Sequence, residues 1–96
     1  MTHELKTWPE PFQAVLDDAK RFEFRKNDRG FMVGDTLHLR EWDPSCPDVG
    51  TGGIPAVTQK GYTGREAHAR ITYLLRGPAF GIPADCAILS IERCWA

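Results

Sequence analysis

A strict alternation of apolar and polar residues constrains this chain more than any other feature. It runs through five short segments, HELKTW (3–8), RFEFRK (21–26), TLHLRE (36–41), REAHARITYLLR (65–76) and AILSIERCW (87–95). A period of two residues is typical of a β-strand that turns one face to a core and the other to solvent. The alternation therefore predicts about five strands.

One segment has the period of a helix instead. Phe12, Val15, Leu16 and Ala19 recur at i, i+3, i+4 and i+7, and the prolines of WPEP suit an opening helical turn. This predicts one amphipathic helix over about 10–19. A chain of 96 residues is the size of one domain, so we expect residues 1–96 to form a single domain. The order of strand, helix and four strands predicts an α+β fold, a small mixed sheet curled into a partial barrel.

The alternation also predicts which side chains enter the core. In RFEFRK it places Phe22 and Phe24 inside, with Arg21, Glu23 and Arg25 on the polar face. The same reasoning puts two leucines of the third strand and five residues of the fourth in the core: Leu37, Leu39, Ala67, Ala69, Ile71, Tyr73 and Leu75. His38 and His68 fall on polar faces, and the sequence pattern offers neither of them a catalytic partner.

Residues 44–64 are rich in Pro, Gly and Thr and have little periodicity. A loop of this length in a compact domain is usually mobile or functional. We therefore predict a mobile loop over 44–64. One alternative function is binding of a protein partner through this loop.

Composition excludes several classes of protein. The formal net charge is −1, so any attraction for phosphate must be local. No apolar run approaches the ~20 residues of a membrane span, and MTHELKTWPE lacks the order of a signal peptide, so we expect a cytoplasmic protein without membrane contact. The three cysteines lack C-x-x-C spacing and no phosphate-loop or zinc motif occurs, so we expect reduced thiols, no metal and no cofactor.

A resemblance adds to this interpretation. HELKTWPEPFQAVLDDAKRFEFRKNDRGFMVGDTLHLREWD (3–43), followed by YTGRE, ARITYLLRG, FGIP and ILSIE, resembles the ASCH-like branch of the PUA-like superfamily. Within that branch it is similar to small bacterial and phage proteins labelled domain of unknown function 3850. The specific part is K-x-x-E-x-R (Lys20, Glu23, Arg25) followed by V-G-D (33–35). The resemblance implies a PUA-like small β-barrel with a cleft beside the early helix, and relatives that bind RNA or modified nucleosides.

These residues give the leading functional hypothesis, a binding module for single-stranded RNA or a modified nucleoside or nucleotide. Lys20, Glu23 and Arg25 would form the centre of the cleft, where paired donors and acceptors read a base edge or hold a phosphate. The nucleic-acid interface would also include the rim cations Lys26 and Arg29, Trp8 stacked on a base, and Tyr62 covering the cleft. The alternative for each is structural: a surface ion pair, a solvated turn, or packing against the helix.

The competing hypothesis is an enzyme in the same cleft, a nucleoside amidohydrolase or a ribonuclease. Some ASCH-like proteins are amidohydrolases for an acylated cytidine, in which a lysine at the helix end, a threonine on the next strand and a distant glutamate act together. The lysine position is Lys20 in this sequence, but the threonine position is Glu23, and the sequence does not identify the distant glutamate. In an enzyme, Lys20 would be base or nucleophile, and Glu23 would orient it or move a proton.

Overall fold

The computed structural model describes residues 1–46 and 60–94. The elements, in chain order, are β1 (Thr2–Thr7), α1 (Pro9–Leu16), β2 (Phe22–Lys26), β3 (Thr36–Trp42), β4 (Tyr62–Arg76) and β5 (Cys86–Cys94). The strands form one sheet in the order β1-β3-β4-β5-β2, in which β1 and β3 are parallel and all other pairs are antiparallel. The prediction of a small α+β domain with one short helix and a curled sheet of five strands is confirmed.

The helix is shorter than the apolar period predicted. It ends at Leu16, because Asp18 adopts a left-handed backbone conformation with φ 59°. The amides of Ala19 and Lys20 both bond the carbonyl of Ala14, so this tight turn leads straight into β2. Lys20 is thereby placed in the turn between α1 and β2.

Much of the predicted loop over 44–64 lies outside the described residues, which resume at residue 60. Its last part is not loop, since β4 begins at Tyr62 and pairs with Trp42 of β3. In the described part of the chain α1 is the only α-helix, and it is too short to cross a membrane.

The core lies on the concave face of the sheet, where α1 covers it with Phe12 and Val15. The strands contribute Leu5, Leu37, Leu39, Ala67, Ala69, Ile71, Ala87, Leu89 and Ile91, and Phe31 enters from the segment between β2 and β3. The predicted burial of Leu37, Leu39, Ala67, Ala69 and Ile71 is therefore confirmed.

The predicted orientation of β2 is wrong. Phe22 and Phe24 are 48% and 50% exposed, whereas Glu23 between them is 3% exposed. The reason is the register with β5: Glu23 lies opposite Leu89, and residues that face each other across a strand pair share one face of the sheet. Because Leu89 is fully buried, Glu23 points inward with it.

A similar correction applies to the end of β4. The pairing of β4 with β5 shifts between Ile71 and Tyr73, which is a β-bulge. The extra residue reverses the phase of the strand. Tyr73 is 59% exposed instead of buried, and Leu75 shares its outward phase and is only half-buried. Leu74 packs against the core instead.

Arginine side chains join the two ends of the curled sheet. Strands β1 and β2 are its edges, yet Arg25 Nη2 donates to the carbonyl of Lys6 at 3.0 Å and Arg29 Nη1 donates to that of Glu4 at 2.6 Å. Carbonyls two residues apart in a strand point to the same side, here away from β3. We call this junction the seam. It covers part of two strand edges that would otherwise be open to other chains.

The V-G-D motif forms the turn that starts β3. Asp35 Oδ2 accepts from the amide of Met32 at 3.1 Å and bonds His3 Nε2 at 2.8 Å. His3 lies in β1 and is buried, with its ring edge-on to Phe31 at 4.7 Å. The motif therefore ties β1 to the start of β3. The bond to His3 is the main reason why the pKa of Asp35 lies below its ordinary value of 3.8.

This shift predicts how stability depends on pH. A carboxyl group whose pKa is lower in the folded chain stabilises the fold above its ordinary pKa and loses that contribution as pH falls through the folded pKa. We expect Asp35→Asn to be less stable than the wild type at neutral pH and to lose less stability on acidification below about pH 4. Urea unfolding along an acid pH series measures both. Parallel pH profiles for the two proteins would contradict the prediction.

Candidate functional site

The structure brings Lys20, Glu23 and Arg25 together at the seam. Lys20 Nζ lies 2.7 Å from Glu23 Oε1, and Arg25 Nε lies 3.1 Å from Glu23 Oε2. The carboxylate is held from both sides by cations that are partly open to solvent, with side chains 19% and 26% exposed. Arg25 also contacts Thr7 Oγ1 at 3.5 Å, so the group spans from the turn after α1 to the end of β1.

These residues line a cleft of about 240 Å³. Its full lining is Lys6, Thr7, Trp8, Pro11, Lys20, Phe22, Glu23, Phe24 and Arg25. One wall comes from the end of β1 and the start of α1, and the other comes from β2. The cleft therefore combines a charged group with apolar and aromatic walls.

Trp8 is held in place by a second tryptophan. Its ring packs edge-on against Trp42 with centroids 5.3 Å apart, and it remains 54% exposed. Trp42 in turn donates Nε1–H to the carbonyl of Lys60 at 3.0 Å. Residue 61 must be glycine for this arrangement, because a Cβ there would lie 2.2 Å from Trp42 Nε1 and its φ is +86°.

The predicted rim cations lie beside the cleft. Lys26 and Arg29 line a smaller neighbouring cavity of about 140 Å³, and Arg25 lines both cavities. Arg29 is also part of the seam through its bond to β1. The rim is therefore continuous with the centre of the site through Arg25.

Tyr62 is not brought into the cleft. Its ring lies under the guanidinium group of Arg40, with 4.0 Å between Arg40 Cζ and the ring centroid. Arg40 also forms ion pairs with Glu4 and Glu66 at 2.7 and 3.6 Å. The structure thus places Tyr62 against a charged ladder, and its part in ligand binding stays a prediction.

On the other side of Lys20 lies a larger cavity of about 420 Å³ under the end of α1. Arg21 and Arg93 contribute to its lining, and Arg93 donates to the carbonyl of Leu16 at the helix C-terminus. Lys20 lines both this cavity and the cleft. The two cavities therefore adjoin at Lys20, and the larger one is lined by the carboxylates of Asp18 and Glu92 as well as by cations.

Comparisons with known proteins place the chain in a family. Residues 2–91 match the family model described as Domain of unknown function (DUF3850). The chain belongs to this family. The DUF3850 chain is also 41% identical over 70 residues to an uncharacterized 12.9 kDa protein in the GpA 3′ region of Escherichia phage P2. That match covers 73% of the chain and 50% of the phage protein, so the chain spans about half the length of this curated relative.

The sequence pattern did not single out two buried polar residues of the DUF3850 domain. Thr7 lines the cleft and lies opposite Glu41 in the β1–β3 pair, and both are buried. Glu41 accepts from Thr63 Oγ1 at 2.6 Å and pairs with Arg65 at 3.7 Å. The alternation could have identified Glu41, because it is in phase with the two core leucines of β3 and therefore points inward.

Metal binding has no geometric support in the described ranges 1–46 and 60–94. No group of three or more His, Cys, Asp or Glu side chains within them is arranged to hold an ion. The lining of the DUF3850 cleft itself provides one buried carboxylate (Glu23), three cations (Lys6, Lys20 and Arg25) and exposed aromatic rings.

Proposed function

We propose that this DUF3850 domain binds RNA or a modified nucleoside or nucleotide in the cleft at the seam. The observation that carries the proposal is the buried Glu23 carboxylate, held by Lys20 and Arg25 in the lining of a cleft that also contains Trp8. A nucleobase has two flat faces that stack and edges that carry hydrogen-bond donors and acceptors. The cleft offers a partner for each, since aromatic rings stack on faces and charged groups read edges.

Glu23 has capacity left for a ligand. A carboxylate has about four lone-pair sites, and Lys20 and Arg25 each use one. Carboxylates accept readily from the exocyclic amino group of cytosine. The Lys20 ammonium beside it has three donors and would bond a ring carbonyl or ring nitrogen. We therefore expect a base with an amino group on its edge, cytosine above all.

The size of the cleft fits part of a nucleotide. A volume of about 240 Å³ lies just below the range of roughly 300–1,000 Å³ that is usual for complete small-molecule sites. It has room for a single base, with the sugar and phosphate towards its opening. Lys20 lines the cleft, and Lys26 and Arg29 line the neighbouring cavity, so binding should weaken as salt rises, although the formal net charge is −1.

The same proposal includes the assignment of the fold to a superfamily. The order of strand, helix and four strands in a half-barrel with a cleft beside the helix supports membership of the ASCH-like branch of the PUA-like superfamily. A cytoplasmic location, where RNA and nucleotides are present, would fit this function.

Titration of the purified chain tests the proposal. Cytidine, an acylated cytidine and a short single-stranded RNA are titrated at low salt against the wild type, Lys20→Ala and Arg25→Ala. We expect both variants to bind at least about ten-fold more weakly, because each loses one charge-assisted hydrogen bond to the ligand. Met32→Ala, which alters an exposed side chain that lines none of the three cavities, is the matched control and should bind as the wild type does. Absence of binding by the wild type would reject the proposal.

The second candidate is hydrolysis of an acylated cytidine or of RNA, favoured by the contact of 2.7 Å between Lys20 Nζ and Glu23 Oε1. In the amidohydrolase case, water would cleave the acyl–nitrogen bond and release a carboxylic acid and cytidine, with Lys20 as base. Incubation at high protein concentration decides: product that Lys20→Ala does not form supports hydrolysis, and no product rejects it.

A further inference from the structure

The face of the sheet opposite the core, here called the outer face, has two halves that differ in polarity. On β1, β3 and β4 it carries charged and polar pairs. Arg40 forms ion pairs with Glu4 and Glu66. His38 forms a hydrogen bond with Glu66 at 2.9 Å and stacks on His68, with ring centroids 4.5 Å apart. This half is the ordinary solvated surface of an exposed sheet.

The other half, on β4, β5 and β2, is apolar and aromatic. The register aligns Phe22, Ser90 and Tyr73 in one row across the three strands. The next row consists of Phe24, Ile88 and Leu75. The three rings are 48%, 50% and 59% exposed. We call Phe22, Phe24, Tyr73, Leu75 and Ile88 the outer platform.

Cations border this platform and connect it to the cleft. Lys20 Nζ lies 5.1 Å from the centroid of Phe22, and Lys26, two residues after Phe24, shares the outward phase of β2. Phe22 and Phe24 also line the cleft, so the platform begins at its lip. Exposed aromatic rings with a cationic border match the flat faces and phosphates of single-stranded nucleic acid better than they match an apolar protein surface.

We infer that single-stranded RNA lies across the outer platform, with one base in the cleft and the following bases stacked on Phe22, Phe24 and Tyr73. This inference rests on the proposed function and names its substrate class as an oligonucleotide instead of a free nucleoside. Sheet surfaces that stack bases on exposed aromatics occur in a common class of RNA-binding module.

The geometry of the sheet sets a suitable spacing. Neighbouring strands are about 4.8 Å apart and residues i and i+2 of one strand about 6.5–7 Å. Phe22 and Phe24 are thus about one extended nucleotide apart, and Tyr73 lies two strands away from Phe22. The platform has room for two or three stacked bases, so affinity should rise with RNA length up to about four nucleotides, counting the base in the cleft.

Fluorescence anisotropy with labelled oligoribonucleotides tests the inference. Tyr73 is the position to change because it belongs to the platform, lines none of the three cavities and is exposed. We expect Tyr73→Ala to weaken binding of an octanucleotide by roughly 5- to 150-fold, the value of one base–aromatic stack, and to leave binding of an acylated cytidine unchanged. Tyr73→Phe, which keeps the ring, should bind the octanucleotide nearly as the wild type does. Met32→Ala is again the control for an exposed apolar residue.

The possible failures are distinguishable. If the nucleoside binds in the cleft but Tyr73→Ala binds the octanucleotide as tightly as the wild type, the platform is rejected and the proposed function remains. If the wild type binds neither ligand, both fail. A third outcome, in which the free protein is a dimer by sedimentation and Tyr73→Ala makes it monomeric, would assign the platform to contact between two copies and overturn the inference.

Discussion

Phe12→Ala should lower the free energy of unfolding by about 3–5 kcal/mol, a large share of the 5–15 kcal/mol that is usual for a domain. The Phe12 ring is fully buried and, with Val15, attaches α1 to the concave face of the sheet. The Arg65 guanidinium also lies over this ring, 5.2 Å from its centroid, and bonds Gln13 of the same helix. Truncation to alanine leaves a cavity and removes the surface on which Arg65 lies.

The same change should impair ligand binding. Pro11 lies in the first turn of α1 and Trp8 directly precedes the helix, so a displaced helix moves one wall of the cleft. Urea unfolding followed by tryptophan fluorescence gives the stability. Phe80→Ala removes a ring that is 88% exposed and should change stability by no more than about 0.5 kcal/mol. A loss below about 1 kcal/mol for Phe12→Ala would mean that α1 contributes little to the core.

The contrast between β3 and β2 shows how much of the fold the sequence could predict. In TLHLRE the alternation predicted both the strand and its inner face, because Leu37 and Leu39 enter the core, and Glu41 follows them inward in the same phase. RFEFRK alternates just as strictly, yet its polar residue Glu23 is the one that points inward. The phase of β2 is set by its register with β5 and by two cations that neutralise the carboxylate. Neither can be read from five consecutive residues.

The candidate site was predictable only in part. The resemblance selected Lys20, Glu23 and Arg25, and the structure brings them into contact. The seam could not be predicted, since the bonds of Arg25 and Arg29 to β1 exist only once the sheet has curled. The bulge after Ile71, which turns Tyr73 outward, has no local signal either. Both differences depend on contacts that form only in the assembled sheet.

Arg25→Ala should cost about 2–4 kcal/mol of unfolding free energy, because Arg25 combines two roles. It neutralises a carboxylate that is 3% exposed, and removing one partner of a buried ion pair leaves an uncompensated charge. It also donates to the Lys6 carbonyl across the seam. Since Lys20 still contacts Glu23, we expect a value below that of a fully isolated buried pair.

Related variants compare the contribution of the buried ion pair with that of the seam bonds. Arg25→Lys keeps the charge but not the planar fork that bonds the carboxylate and the carbonyl together, so its loss should be smaller, about 1–2 kcal/mol. Arg29→Ala removes a seam bond from a side chain that is 47% exposed and should cost about 0.5–1.5 kcal/mol. Urea unfolding of the three variants in parallel measures the series. An Arg29→Ala variant as unstable as Arg25→Ala would show that the seam bonds, and not the buried carboxylate, dominate.

A double variant separates the stability role of Arg25 from its proposed role in binding. In Glu23→Gln the side chain keeps its shape but carries no charge, so removing Arg25 no longer leaves a buried anion with a single cation. We expect Arg25→Ala to cost at least about 1 kcal/mol less in the Glu23→Gln background than in the wild type. Binding of an acylated cytidine should not recover with stability, because the double variant lacks both the arginine donor and the carboxylate acceptor of the proposed site. Recovered binding in the double variant would show that Arg25 acts on the ligand only by holding the fold together.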